Sequence, residues 1–262
     1  MEVLHELCWL AHDNRIALCP EEKYRNVLDL GTGDGTWAIE FADMHEEATV
    51  IGVDMHRFQP TFVPPNCEFQ IDNLEEDWTW SGCFDFIHAR MLSGCFKKPR
   101  HIVSSAQLTP GGYFEVTDIL YTPKSDDGTL VSNSPLRTWA NQLASAAREI
   151  GRPLIGDASE YLDMLSEAGF VDIHVVVKNL PTNSWPNDKT LKEIGKISSL
   201  ALELETISMA LFTHGLGWDP EAVIATCAHV REEFKSPDVH AYFPLIIVYG
   251  RKPCRPGSVE ER

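Results

Sequence analysis

The chain has 262 residues, of which 44% are hydrophobic and 10% aromatic, enough for one large α/β domain with a sizeable buried core and too apolar for a disordered chain. Acidic residues outnumber basic ones by 39 to 22, and the resulting charge of −17 argues against a nucleic-acid partner, because phosphate binding depends on clustered Lys and Arg that release counterions. There is no run of the roughly 18 apolar residues a membrane span needs and no basic-then-apolar leader, so a cytoplasmic protein with no membrane contact is expected, or a nuclear one if it is regulatory.

In chain order, residues 3–18 suggest an amphipathic helix. Asn26-Val-Leu-Asp-Leu30 then reads as a strand that runs into Gly31, Gly33 and Gly35 and on into a helix. Glycines at alternate positions let the backbone turn sharply where strand meets helix and let a ligand lie against it, facing the unpaired N–H groups of the helix start. Strands are expected near 49–54, 67–71, 84–89 and 112–118, alternating with helical stretches, which implies a right-handed parallel sheet covered on both faces. The second strand ends at Asp54, 23 residues after Gly31, where a carboxylate can accept hydrogen bonds from both hydroxyls of a ribose. The third ends at Asp72-Asn73. Leu108-Thr-Pro-Gly-Gly reads as a helix end and a turn before the fifth strand.

Helices follow over 135–150 and 158–168, a sixth strand over 171–178 and a final strand over 240–251. Between the last two strands, 188–235 reads as a helical insertion that serves as a lid. One domain, 1–262, is expected: a helical segment 1–25, a core 26–187, the insertion 188–235, the final strand within 236–253 and a frayed tail 254–262. The seven cysteines lack the paired short spacing of a zinc site and read as reduced thiols, so no metal is expected.

The glycine spacing is Asp29-x-Gly31-x-Gly33-x-Gly35 and not G-x-G-x-x-G, which disfavours a pyrophosphate. With Asp54 downstream it resembles the S-adenosylmethionine site of class I methyltransferases. The resemblance narrows to the fungal LaeA-like branch of secondary metabolism on Gly31-Thr-Gly-Asp-Gly-Thr-Trp-Ala38, Phe84-Asp-Phe-Ile-His-Ala-Arg90, Asp126-Asp-Gly-Thr129, Gly151-Arg-Pro153 and the stretches 211–218 and 240–253. It implies a Rossmann-like fold whose seven-stranded sheet is mostly parallel, with the last strand inserted antiparallel, helices on both faces and a helical lid. It also implies S-adenosylmethionine as cofactor. Asp29, Gly31, Thr32, Gly33 and Gly35 would lie against its methionine part, Asp54 and Met55 at the ribose, Asp72 and Asn73 at the adenine, and His88 beside the sulfonium.

The implied chemistry is attack on an activated methyl group, which needs a general base only if the acceptor must lose a proton; an ionised carboxylate would not. His88 shares a face with Arg90 and titrates near neutrality, so it is a candidate base; alternatively it bonds a loop carbonyl while Arg90 anchors an acid such as Asp118. His214, on the insertion, and Asp118, after the fifth strand, are further catalytic candidates, with a helix cap and a loop-ordering acid as their alternatives. Arg90, Tyr121 and Trp139 are candidate substrate contacts, Trp185 a further aromatic near them, and Trp37 a core residue under the sheet. Asp34 stands where relatives carry a neutral residue; it would repel a methionine carboxylate if turned inward.

Three functions fit: a methyltransferase for a small-molecule secondary metabolite, a regulator that keeps the methyltransferase fold, and a cofactor-binding cyclase. Relatives carry a longer segment before the first strand, so a protein partner or a second copy of the chain is expected to complete the lid.

Overall fold

The computed structural model describes residues 2–20, 24–201 and 204–254. Helix α1 (Glu2–Ala11) precedes β1 (Asn26–Leu30), α2 (Thr36–Met44), β2 (Thr49–Asp54), β3 (Cys67–Ile71), β4 (Phe84–Arg90), α3 (Pro99–Ser104) and β5 (Leu108–Ile119). Then come α4 (Pro135–Glu149), α5 (Ala158–Glu167), β6 (Val171–Pro181), the three insertion helices α6 (Lys189–Ala201), α7 (Leu204–Leu216) and α8 (Pro220–Lys235), and β7 (Tyr242–Arg251). The strands form one seven-stranded sheet in the order β3-β2-β1-β4-β5-β7-β6. It is parallel except for β7, which runs antiparallel to both β5 and β6. Chain order reverses between β1 and β4, and the crevice at the carboxyl ends of such strands is where open α/β sheets bind ligands.

Central strands are apolar on both faces because helices cover both. In β7, every residue from Tyr242 to Val248 is buried. One core gathers α4, α7 and α8 on Leu136, Trp139, Leu143, Phe212, Val223 and Phe243; another packs α3 and α5 on Ile87, Phe114, Val116, Leu165 and Ile246. A third seats α2, through Trp37 and Phe41, against Val27, Val50 and Phe86. The Asp126-Asp-Gly-Thr129 motif has a structural task at the start of β7. Asp127 accepts from His240 Nδ1 at 2.5 Å, and Asp126 accepts from the Tyr242 hydroxyl at 2.8 Å.

The structure corrects several boundaries. The first helix stops at Ala11, not 18, because Asp13 and Asn14 take left-handed φ angles of 57° and 59° while the Asn14 N–H returns to the Trp9 carbonyl at 2.9 Å. Asp and Asn tolerate that region better than most residues. The Pro-Gly-Gly segment is not a turn before the fifth strand but lies inside β5, at a register shift against β4. Gly111 there has φ +91°, and a Cβ on Gly112 would stand 2.8 Å from the Asp85 carbonyl oxygen, so both positions require glycine. Strand β6 runs on to Pro181. Of the expected tail, residues 255–262 lie outside the described residues.

The chain after α1 is fastened to the sheet. Glu115 of β5 is fully buried, and its Oε2 accepts from the Leu18 N–H at 2.8 Å and the Cys19 N–H at 2.6 Å. Its Oε1 has no partner among the described residues, and burial pushes the carboxyl up to about 7.

Candidate functional site

The glycine turn rises from the end of β1 with φ of +64° at Gly31, +60° at Gly33 and +82° at Gly35, a run of left-handed residues that side chains would strain. Two acids hold it. Asp29, buried within β1, accepts from the Thr32 hydroxyl at 2.7 Å with Oδ2 and meets His88 Nδ1 at 2.7 Å with Oδ1. Asp54, at the tip of β2, accepts from the Gly33 N–H at 3.0 Å with Oδ2 and from the His56 N–H at 3.0 Å with Oδ1. The turn is therefore tied below to the sheet and sideways to the neighbouring strand. Asp34, one residue before the Gly35 N-cap, accepts from the Thr36 N–H at 3.1 Å and the Thr36 hydroxyl at 2.8 Å, a use that the sequence reading did not assign.

Beside the turn lies a cavity of about 330 Å³, mostly apolar in surface but polar in carrying charged side chains, walled by Gly31, Asp54, Met55, His56, Asn73, Leu74 and Leu92, with Glu75, Cys95, Phe96 and Arg152 completing it. Asp72, expected beside Asn73 in this role, is not part of the wall; its Oδ1 accepts from the Asn73 N–H at 2.8 Å and shapes the loop instead. Arg152 and Glu75 were missed by the sequence reading although Gly151-Arg-Pro153 was among its motifs. Arg152 bridges to Glu75 at 2.8 Å, and the Ile155 N–H donates to Ser93 Oγ at 2.8 Å, so a strap after α4 closes this side of the cavity. Sequence distance hid it.

A second cavity, of about 280 Å³, opens where α1, α4, α6 and α7 meet the carboxyl end of β5. Val3, Leu4, Met91, Ile119, Trp139, Leu204 and Ile207 make it apolar, and Tyr121 and Thr206 bring the only side-chain hydroxyls among its described walls. The expected contacts Tyr121 and Trp139 are thus brought together, their rings 6.3 Å apart and edge-on. Trp139 spends its indole N–H on Ser208 Oγ at 2.7 Å. The Tyr121 hydroxyl has no hydrogen-bond partner among the described residues, and burial, with Asp118 nearby, raises its pKa so that it stays protonated.

The two cavities share a wall. Met91 takes a left-handed φ of 56° just past β4 and lines the apolar cavity, while Leu92, the next residue, lines the polar one and lies against Gly31. Strain of this kind in a non-glycine residue costs roughly 1–3 kcal/mol and persists where the surroundings fix it. Asp118 helps to fix it here: the fully buried carboxylate accepts from the Ser93 N–H at 3.1 Å and from the Tyr161 hydroxyl, and burial raises its pKa to about 6. Its geometry matches the loop-ordering alternative, since all these partners belong to the protein.

The remaining candidates stand elsewhere than expected. His88 does not face the crevice. It is 2% exposed, stacks on Trp37 with ring centroids 3.7 Å apart and planes 4° apart, and borders a small chamber of about 10 Å³ that holds at most one water. Burial lowers its pKa, so the neutral ring donates to Asp29. Arg90 borders the same chamber and meets His5 of α1 at 3.3 Å, so it contacts neither the apolar cavity nor Asp118. His214 is exposed within α7, with Nδ1 donating to the Ala210 carbonyl 2.8 Å away, and is absent from the apolar cavity's wall. It lies inside the helix and does not cap it. Trp185 stacks on His240 and donates to the Ala241 carbonyl, away from both cavities. Conversely, Val3 and Leu4 show α1 taking part in the site, which periodicity alone did not reveal.

Comparison with known proteins identifies the family and the fold. A family model described as a methyltransferase domain, Methyltransf_23, matches residues 5–175. Methyltransferase pytC of Aspergillus terreus is 34% identical over 97% of this chain and 80% of its own length. The secondary metabolism regulator laeA of Monascus pilosus is 33% identical over 97% of this chain and 71% of its own length. Among solved structures, a phosphoethanolamine N-methyltransferase of Haemonchus contortus in complex with S-adenosylhomocysteine superposes with a TM-score of 0.53 at 16% identity, over 95% of this chain and 52% of that one, a likeness of fold alone.

Proposed function

The chain belongs to the Methyltransf_23 family of methyltransferase domains, and from that premise we propose that it moves a methyl group from S-adenosylmethionine to a small molecule of fungal secondary metabolism. The carrying observation is the shared wall, with Met91 facing the apolar cavity and Leu92 the polar one. The residues of the polar cavity fit the cofactor. Asp54 offers a carboxylate to a ribose, Asn73 an amide to an adenine edge, Leu74, Leu92 and Phe96 apolar surface to its faces, and Gly31 an approach free of side chain. The cofactor supplies an activated methyl group on a sulfonium. The chain supplies alignment and exclusion of water, which are worth about 7–11 kcal/mol of the barrier. On attack by an acceptor's lone pair, the cofactor would give up its methyl group and keep the electrons of the broken carbon–sulfur bond, and any proton the acceptor lost would pass to solvent.

His88 and Asp29 serve in this reading as positioning residues beneath the glycine turn, and Asp118 as the acid that orders the Met91–Leu92 wall. Among the described residues that line the apolar cavity, the Tyr121 phenol is the one titratable group, and it stays protonated. A small-molecule acceptor agrees with the net charge of −17, and cytoplasmic residence goes with it. No helix among the described residues is long and apolar enough to cross a membrane.

The relationship to laeA, a named regulator, supports a second reading in which the fold binds cofactor for a regulatory complex, in the nucleus, with a protein partner or a second copy at the lid. Two measurements separate these. Calorimetry with S-adenosylhomocysteine should show binding, weakened by Asp54→Ala by about 1.5–3 kcal/mol, the value of a charge-assisted contact pair, in a variant that melts cooperatively. Incubation with methyl-labelled S-adenosylmethionine and an organic extract of a fungal culture should then place label in small molecules. Label confined to protein, or none transferred by a chain that binds cofactor, would overturn the leading reading.

A further inference from the structure

The methyltransferase reading leaves the acceptor open, and the apolar cavity narrows it. Of its described lining residues, none carries a charge at neutral pH: Val3, Leu4, Met91, Ile119, Trp139 and Ile207 are typical, and Thr206 stands at the exposed rim. A carboxylate, phosphate or ammonium seated there would lose its water and gain no counter-charge. Three ionic groups among the described residues are committed elsewhere. Arg90 is turned to His5, Arg231 pairs with Glu205 on the far side of α7, and Asp118 is enclosed by Ser93 and Tyr161.

One polar atom inside lacks a partner. The indole N–H of Trp139 is bonded to Ser208, whereas the Tyr121 hydroxyl, from the segment just past β5, meets no donor or acceptor among the described residues. Tyr121 is only half-buried, so its hydroxyl is open to the cavity, where water or a ligand group can bond it. The volume of about 280 Å³ lies at the small end of pockets that enclose drug-sized molecules, and the edge-on rings of Tyr121 and Trp139 present an aromatic surface.

Resting on the methyltransferase reading, we propose that the acceptor is an uncharged, predominantly aromatic molecule that presents one hydrogen-bonding group to the Tyr121 hydroxyl, and that carboxylates are excluded. Tyr121 is then a specificity-determining residue, and Met91, at the inner wall, limits how far the acceptor approaches the cofactor. This removes the ionised carboxylate acceptor, which the sequence had left open on the ground that it needs no base.

The test uses the full chain and three probes of one shape, 2-naphthol, 2-methylnaphthalene and 2-naphthoate, each competing with the fluorescent neutral ligand N-phenyl-1-naphthylamine. The expected order is naphthol tighter than methylnaphthalene by about three- to tenfold, the value of one net hydrogen bond, with naphthoate weaker than both by more than about tenfold. Tyr121→Phe keeps the ring and should erase the naphthol advantage while leaving methylnaphthalene unchanged; Ile207→Glu should weaken every neutral probe. Naphthoate binding as tightly as naphthol, a naphthol advantage that survives Tyr121→Phe, or no displacement by either neutral probe would overturn the proposal. Calorimetry with S-adenosylhomocysteine on the same sample separates the two levels. A chain that binds it but no aromatic probe loses only this inference, and one that binds the probes but no S-adenosylhomocysteine loses the methyl-transfer reading.

Discussion

The two cavities lie on either side of the Met91–Leu92 backbone and are built on different physical terms. The polar one is shaped by backbone: left-handed glycines, strand tips, and two acids that accept N–H and O–H groups at 2.7–3.0 Å. The apolar one is shaped by side chains drawn from α1, α4, α6, α7 and the end of β5, with one unpaired hydroxyl inside. Directional hydrogen bonds fix a common ligand in one geometry, whereas an apolar wall is remade by any change of side-chain volume.

The largest effect should come from breaking the backbone side of the comparison. Gly31→Val would force a β-branched residue to φ +64° and set its Cβ 2.4 Å from Leu92. Strain and overpacking together should cost about 4 kcal/mol and abolish measurable S-adenosylhomocysteine binding by calorimetry, while aromatic probes still enter the apolar cavity. Normal cofactor affinity would mean that the turn is not the binding element.

His88→Ala comes next. It strands the buried Asp29 carboxylate with Thr32 alone, and urea unfolding should show a loss of about 3 kcal/mol together with weaker cofactor binding. If stability is unchanged and only turnover falls, His88 takes part in the chemistry after all, despite lying outside the crevice.

Glu115→Gln probes the strap beneath α1. An acid raised to about 7 in the folded chain from about 4.5 stabilises it fully below pH 4.5; that contribution is lost as pH rises through 7, because the native state must then hold a buried charge. The variant should therefore be close to wild type in urea at pH 5 and more stable by about 2 kcal/mol at pH 8, a figure reduced by the amide's own unsatisfied atom. An advantage equal at both values would rule out ionisation as its source.

The smallest effect is expected at His214→Ala. An exposed side chain bonded only within its own helix should change stability by less than about 0.5 kcal/mol and leave cofactor and probe binding untouched. Any large loss of turnover would return His214 to the list of acceptor contacts.

The sequence by itself determined the parts of the molecule whose causes are local. Alternating glycines after an apolar run specify a turn, a β-branched run ending in Asp54 and an alternating run ending at Asp72-Asn73 specify strand tips, and their order along the chain specifies the parallel sheet. The tertiary structure decided everything that depends on which remote elements meet. Strand periodicity put His88 and Arg90 on one face, but only packing showed that this face looks onto Trp37 and α1 and away from the ligand crevice. In the same way Val3, Leu4 and Ile207, far apart in the chain, become one wall through the docking of α1 and the insertion. Arg152 reaches Glu75, 77 residues earlier, through a strap with no periodic signal. A strand's alternation fixes that two faces exist; which one is filled by helix and which is left for a ligand is settled by the burial of the whole chain.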